Sequence, residues 1–205
     1  MKTSQPFYQV IKQLYGYRVL PLPEAGRPAL LAALKPAFEL VCQTVAARPI
    51  IRPRPNEVGN DMEPFVRNAL NSSGFQARAP RTKSGGGKST GYPDLDVSWP
   101  GSESGPGNAS HQGAEFYLEI KTYAGKNKYT TQRSFYLSPA EDPKITRDSI
   151  HLAAGFEIER QGNSYWPVGF ELVDLYDLPC DLKQEYNSDN KRLYEARRKL
   201  LSGRA

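Results

Sequence analysis

The sequence predicts one domain of mixed α/β class, of the α+β kind, with helices first, then a run of strands, then a closing helix. Three observations carry this expectation. Apolar residues recur at helical spacing up to about residue 72, and from residue 94 the period falls to two. The length, 205 residues, is ample for one core.

Over residues 4–16, Phe7, Val10, Ile11 and Leu14 share one helical face, and Gly16 supplies a stop. A longer helix is expected from Arg27 to Ala47, with Pro28 in its first turn and Leu30, Leu31, Leu34, Phe38, Val41 and Val45 in its stripe. Pro36 should kink or split it, because proline lacks an N–H and crowds the preceding turn. The stretch RPIIRPRPNE reads as a basic connector. A third helix covers about residues 60–71. Asn60 and Glu63 have capping-box spacing, and Pro64 then falls in the first turn, where no N–H is needed.

Leu95, Val97 and Trp99 alternate with Asp94, Asp96 and Ser98, the mark of a half-buried strand. After a Gly/Ser/Pro-rich loop, Phe116, Leu118 and Ile120 alternate with Glu115, Tyr117, Glu119 and Lys121. Further strands are expected at 133–138 and 151–159, followed by the turn QGNS and the apolar run WPVGFELVDLYDL. The last segment, SDNKRLYEARRKLLSG, reads as a helix with Leu193, Ala196 and Leu200 inward and Ser188 or Asp189 as cap. Phe116, Phe135, Phe156, Trp166 and Phe170 are expected in the core.

Composition narrows the function classes. The 27 Lys and Arg against 22 Asp and Glu admit an anionic partner without requiring one. Cys42 and Cys180 match no metal or redox spacing and read as buried thiols in a reducing cytoplasm. The first residues lack the apolar core of a signal peptide, and no apolar run approaches the ~20 residues of a membrane span. A cytoplasmic protein with no membrane partner is expected.

The stretch TKSGGGKSTGYPDLDV holds the Lys-Ser pair of a phosphate-binding loop. That motif needs a glycine where Thr82 stands, and a helix after the loop to hold phosphate on its N–H groups. Here Gly91 and Tyr92 lead into Pro93 and a strand. A basic loop ahead of a strand is the better description, and no nucleotide cofactor is expected.

Residues two apart share one face of a strand, so Glu119 and Lys121 point the same way while Leu118 and Ile120 enter the core. Asp94 starts the preceding strand. If the two strands pair, Asp94 approaches Glu119. Two close carboxylates repel unless a cation lies between them, and Mg²⁺, which takes oxygen ligands, is the natural one. A lone Glu-x-Lys on a strand is ordinarily a solvated face. Its conjunction with Pro93-Asp94 on the preceding strand, between two basic loops, is what points to chemistry.

Pro93-Asp94 followed by Glu119-Ile120-Lys121 resembles the PD-(D/E)xK motif of the restriction-endonuclease-like nucleases, most of all type II restriction endonucleases. The resemblance implies a central mixed sheet of four or five strands flanked by helices, over about residues 56–178. Residues 1–55 would form a helical segment able to supply a dimer interface, and 179–205 a C-terminal helix. It implies Mg²⁺ held by Asp94, Glu119 and the Ile120 carbonyl, with Lys121 activating water, and a homodimer that cleaves double-stranded DNA to 5′-phosphate ends. A further acidic residue from the preceding helix is expected to be Glu57 in preference to Glu63, which the capping box would occupy.

DNA contacts are expected from the basic stretches on either side of the motif. Lys83 and Lys88 precede it; Lys126, Asn127, Lys128, Gln132 and Arg133 follow it. Cations grip phosphates, and amide and guanidinium groups read base edges. His151, opening an apolar strand, is expected to be a satisfied core residue. A structure-specific or repair nuclease, a non-catalytic DNA-binding module and a nucleotide-binding protein stay open as alternatives.

Overall fold

A computed structural model describes residues 4–88, 90–102, 111–131, 135–182, 188, 190–193 and 195–201. A short strand β1 (Ser4–Pro6) leads into helix α1 (Phe7–Tyr15), which buries Phe7 and Ile11. Gly16 ends α1 at φ 80°, where a side chain would be strained, and its N–H donates to the Lys12 carbonyl. Helix α2 (Arg27–Ala47) has the expected ends and runs unbroken through Pro36. One backbone bond is lost there, and the burial of Leu34, Ala37, Phe38 and Val41 on either side holds the helix together.

Strand β2 (Ile50–Ile51) occupies the connector, followed by a single 3-10 turn and helix α3 (Val58–Ser72). The expected capping box is absent, because α3 starts earlier. Val58 and Met62 are both buried, so the apolar stripe itself begins at 58. Asn60 and Glu63 therefore lie inside the helix, and Pro64 sits in its second turn.

Strands β3 (Gln76–Arg78), β4 (Leu95–Ser102), β5 (His111–Tyr123), β6 (Ile150–Gln161) and β7 (Ser164–Asp174) complete one sheet with β2. Its order is β2-β7-β6-β5-β4-β3. Only β5 and β6 run parallel. The sheet thus has six strands where four or five were expected; the two extra ones, β2 and β3, are short edges. Gly162, at φ 62°, makes the tight turn between β6 and β7.

Because β5 and β6 pair directly, residues 124–149 form the long crossover that a parallel pair requires. No slot is left for the strand expected at 133–138: residues 135–138 are irregular, and 133–134 lie outside the described residues. Phe135 packs edge-on against Phe7 and Tyr92 instead.

The sheet is covered on one face and in part on the other. Helices α2 and α3 pack on one side, over Leu95, Val97, Phe116, Leu118, Leu152, Ala154 and Phe156. On the other side α1 and part of the crossover cover Tyr92, Tyr117, Ala153 and Leu175. Trp166 is half-buried, and its neighbour Tyr165 takes the core position. By length and apolarity α2 is long enough to cross a membrane, contrary to expectation. In this fold Leu30, Leu34, Ala37, Phe38, Val41 and Val45 point into the core.

After β8 (Pro179–Asp181), which pairs with β1, the closing helix is reduced to α4 (Asn190–Leu193) and one 3-10 turn. Ala196 is exposed and Leu200 is 99% exposed, so these two members of the expected inward stripe are not buried; the Leu193 side chain and Asp189 lie outside what is described. Cys42 and Cys180 are free thiols and half-buried.

Candidate active site

The β4–β5 register places Leu95 opposite Leu118. Asp94, one residue before, then lies beside Glu119. The hydrogen bonding agrees: the Ile120 backbone N–H donates to Asp94 Oδ2 at 2.7 Å. Lys121 Nζ donates to Glu119 Oε1 and sits 6.0 Å from the centre of the Phe135 ring. Asp94, Glu119 and Lys121 are thus brought together on the face of the sheet away from α2 and α3.

This corner is electrostatically strained. Burial, then the nearby Asp94 charge, pushes the Glu119 carboxyl up to about 7. Burial also raises Asp94, against the Ile120 N–H, Lys121 and Lys144, which all favour its charge. Glu119 Oε2 is buried with no hydrogen-bond partner.

Among the described residues no three His, Cys, Asp or Glu side chains converge as a ready metal cluster. Two carboxylates, an unsatisfied buried oxygen and adjacent backbone carbonyls nonetheless make an all-oxygen donor set. That set suits a hard cation that keeps several waters.

The two acidic helix candidates separate clearly. Glu57 lies 4.0 Å from Arg52 at the start of α3. Glu63 is raised by burial and by the charge of Asp94, with Arg67 as its ion-pair partner at 3.5 Å. Gly59 abuts Thr122 of β5. Glu63, four residues on, shares that helix face. The structure sets Glu63, not Glu57, within electrostatic reach of Asp94.

Lys144 was not legible in the sequence. It is buried in the crossover, and its Nζ donates to the carbonyls of Gly91 at 2.7 Å and Pro93 at 3.0 Å. Burial lowers its pKa, while Asp94, Glu119 and Glu63 favour its charge. Nothing in the run AEDPKITRD marks it, because its partners are backbone groups fifty residues away. His151 is buried, bonds Tyr92 Oη through Nδ1 at 2.7 Å, and is pushed down to about 3 by burial and Arg147.

The expected DNA-contact residues are scattered. Lys83 and Lys88 are exposed on a loop held by the Asp142 carboxylate, which accepts from Ser84 N–H and Oγ. A strand, not a helix, follows that loop, so it is no phosphate-binding loop. Lys126 and Asn127 lie in a 3-10 turn after β5. Lys128 is tied to Glu171 of β7, which raises its pKa. Gln132 and Arg133 lie outside the described residues.

A model of the type II restriction enzyme MjaV family matches residues 1–197. The chain belongs to this family. A curated relative, the type II restriction enzyme MjaV of Methanocaldococcus jannaschii, is 34% identical over 201 residues, covering 92% of this chain and 84% of the relative. Asp94, Glu119 and Lys121, on the sheet face away from α2 and α3, are the candidate catalytic corner. The family match sets aside the alternatives of a non-catalytic module and a nucleotide-binding protein.

Proposed function

We propose that this restriction enzyme uses Asp94, Glu119 and the Ile120 carbonyl to hold Mg²⁺, with Lys121 orienting the attacking water. Membership of the family already makes the chain a site-specific deoxyribonuclease. The metal, the residue roles and the product ends are what is proposed. The observation that carries the reading is the buried, unpartnered Glu119 Oε2 beside a second carboxylate that Ile120 fixes.

When bound, Mg²⁺ supplies positive charge for the attacked phosphate and lowers the pKa of a bound water. Asp94 is held by the Ile120 N–H, so its orientation does not depend on the ligand. Lys121 neutralises Glu119 and offers two further N–H donors, which can direct a water and stabilise the hydroxide it would become. Glu63 takes the supporting acidic role first expected of Glu57. Hydrolysis leaves 5′-phosphate and 3′-hydroxyl ends on double-stranded DNA.

A homodimer completes the reading, because a two-fold protein meets a palindrome and cuts both strands; residues 1–55 would supply the interface. A cytoplasmic location, where the DNA is, belongs to the same reading. Fragments made with Mg²⁺ should be rejoined by a ligase without prior kinase treatment. Cutting that persists in EDTA, or ends that need phosphorylation before ligation, would overturn it.

A further inference from the structure

The catalytic face of the sheet continues past the carboxylates in two ordered rows. Across β3, β4 and β5 the register aligns Arg78 with Asp96 and Tyr117, and Gln76 with Ser98 and Glu115. Ala77, between the two β3 residues, is buried on the opposite face. The rows follow the Asp94–Glu119 row at intervals of two residues, or roughly 7 Å each. They enclose a shallow cleft of about 180 Å³ lined by Gln76, Arg78, Asp96, Ser98 and Glu115.

The cleft is built on a fixed charge network. Buried Asp96 accepts from Arg147 Nη2 at 2.6 Å through Oδ1, and from Arg78 Nη2 at 3.1 Å and Nε at 3.3 Å through Oδ2. Arg147 also donates to Glu115 at 3.1 Å and lies over the Tyr117 ring. Arg147 is therefore occupied as scaffold. Arg78 is different: its side chain is 76% exposed, and only its inner N–H groups are engaged by Asp96. A guanidinium with its plane fixed and its outer edge free is prepared to bind bidentately.

The charge balance tells what it would bind. A phosphate grip needs net positive charge, whereas Arg78 and Arg147 are matched here by Asp96 and Glu115. The groups facing solvent are instead a guanidinium, an amide, a half-buried hydroxyl and a carboxylate that is 64% exposed. Those are the groups that distinguish base edges in the major groove, and β3, as the edge strand, presents two of them at the rim of the sheet. Two rows of roughly 7 Å span about four base pairs at 3.4 Å each. That reach suits a short site next to the cut.

Resting on the nuclease reading above, we propose that this row is the base-reading surface of the enzyme, with Arg78 taking a guanine edge and Gln76 reading its neighbour. Asp96 and Arg147 act as positioning residues. This moves sequence readout away from the 126–133 loop, where Lys128 is tied to Glu171.

The test uses the full chain as wild type, Arg78→Ala, Arg78→Lys and Gln76→Ala. Each is given a random-sequence duplex pool twice. Once, without metal, bound DNA is selected and sequenced; once, with Mg²⁺, the cut ends are sequenced. Arg78→Ala should relax preference at one guanine-containing position, lowering discrimination there by about 5- to 150-fold. Gln76→Ala should relax a different, nearby position. Arg78→Lys keeps the charge but not the fork, so it should relax the same position as Arg78→Ala; it carries the test should the alanine variant lose its cooperative thermal transition. A uniform loss of affinity with unchanged preference, and a salt slope lower by about one, would make Arg78 a phosphate contact and overturn the proposal. Unaltered preference at full affinity would overturn it as well. If wild type selects a sequence but cuts nothing with Mg²⁺, while Arg78→Ala still relaxes the selection, the nuclease reading falls and the base readout stands.

Discussion

Replacing Glu119 by glutamine should make the metal-free protein more stable while abolishing its cutting. In the fold, burial and Asp94 lift this carboxyl from an ordinary 4.5 to about 7. A carboxyl raised in the folded state costs nothing while both states are protonated. The cost builds as pH climbs from the unfolded value to the folded one and is full above it. At about 1.4 kcal/mol per unit, ionised Glu119 weakens the fold by roughly 3–4 kcal/mol at pH 8. Glutamine keeps a carbonyl for Lys121 and removes the charge. For a chain of this length, thermal unfolding in EDTA at pH 8 should then shift upward by roughly 7–14 °C. Near pH 4 the two proteins should unfold together. Mg²⁺ should raise the midpoint of wild type and leave that of the variant alone. A variant less stable at pH 8, or a gap that does not change between pH 4 and pH 8, would refute the reasoning.

Other outcomes follow from the same corner. Glu63→Gln should slow cutting by about 10- to 100-fold in single-turnover assays, whereas Glu57→Gln, which removes only a contact to Arg52, should leave the rate within about twofold. Lys144→Met should raise the Mg²⁺ concentration for half-maximal cutting, because the Gly91 and Pro93 carbonyls beside Asp94 lose their donor and Asp94 loses a nearby cation; an unchanged metal curve would contradict that role. His151 has a folded pKa depressed to about 3, so its neutral form contributes stability that is full above 6.5 and lost as pH falls toward 3. Its ring resonances in NMR should accordingly show no titration between pH 5 and 8. Arg147→Ala should destabilise the fold by roughly 1–3 kcal/mol in urea unfolding, since buried Asp96 would lose its nearer cation and keep only Arg78.

The convergence of Asp94, Glu119 and Lys121 was largely legible because it is made of local patterns. Period-2 alternation fixed the faces of Asp94, Glu119 and Lys121, and neighbouring strands paired as neighbours usually do. The α2 ends were legible for the same reason, from a strong stripe and Pro28. What escaped depends on distant partners. Lys144 bonds carbonyls at Gly91 and Pro93, and Arg147 reaches Asp96 and Glu115, which no spacing in the chain announces. The capping box at Asn60 was outcompeted by burial of Val58, a tertiary effect. The crossover likewise stayed irregular because β5 and β6 claimed each other's edges. Strand β3 is three residues long, too short for alternation to register, although it carries Arg78.

The central claim is that the Asp94–Glu119–Lys121 corner does the cutting. The most direct measurement digests a sequence-diverse plasmid with wild type, Asp94→Ala and Lys121→Ala, each with Mg²⁺ and with EDTA, after confirming that all three unfold cooperatively. Discrete fragments from wild type with Mg²⁺, and intact plasmid in every other lane, are predicted. The same fragments from Asp94→Ala or Lys121→Ala would contradict the assignment and place the catalytic centre elsewhere in the chain.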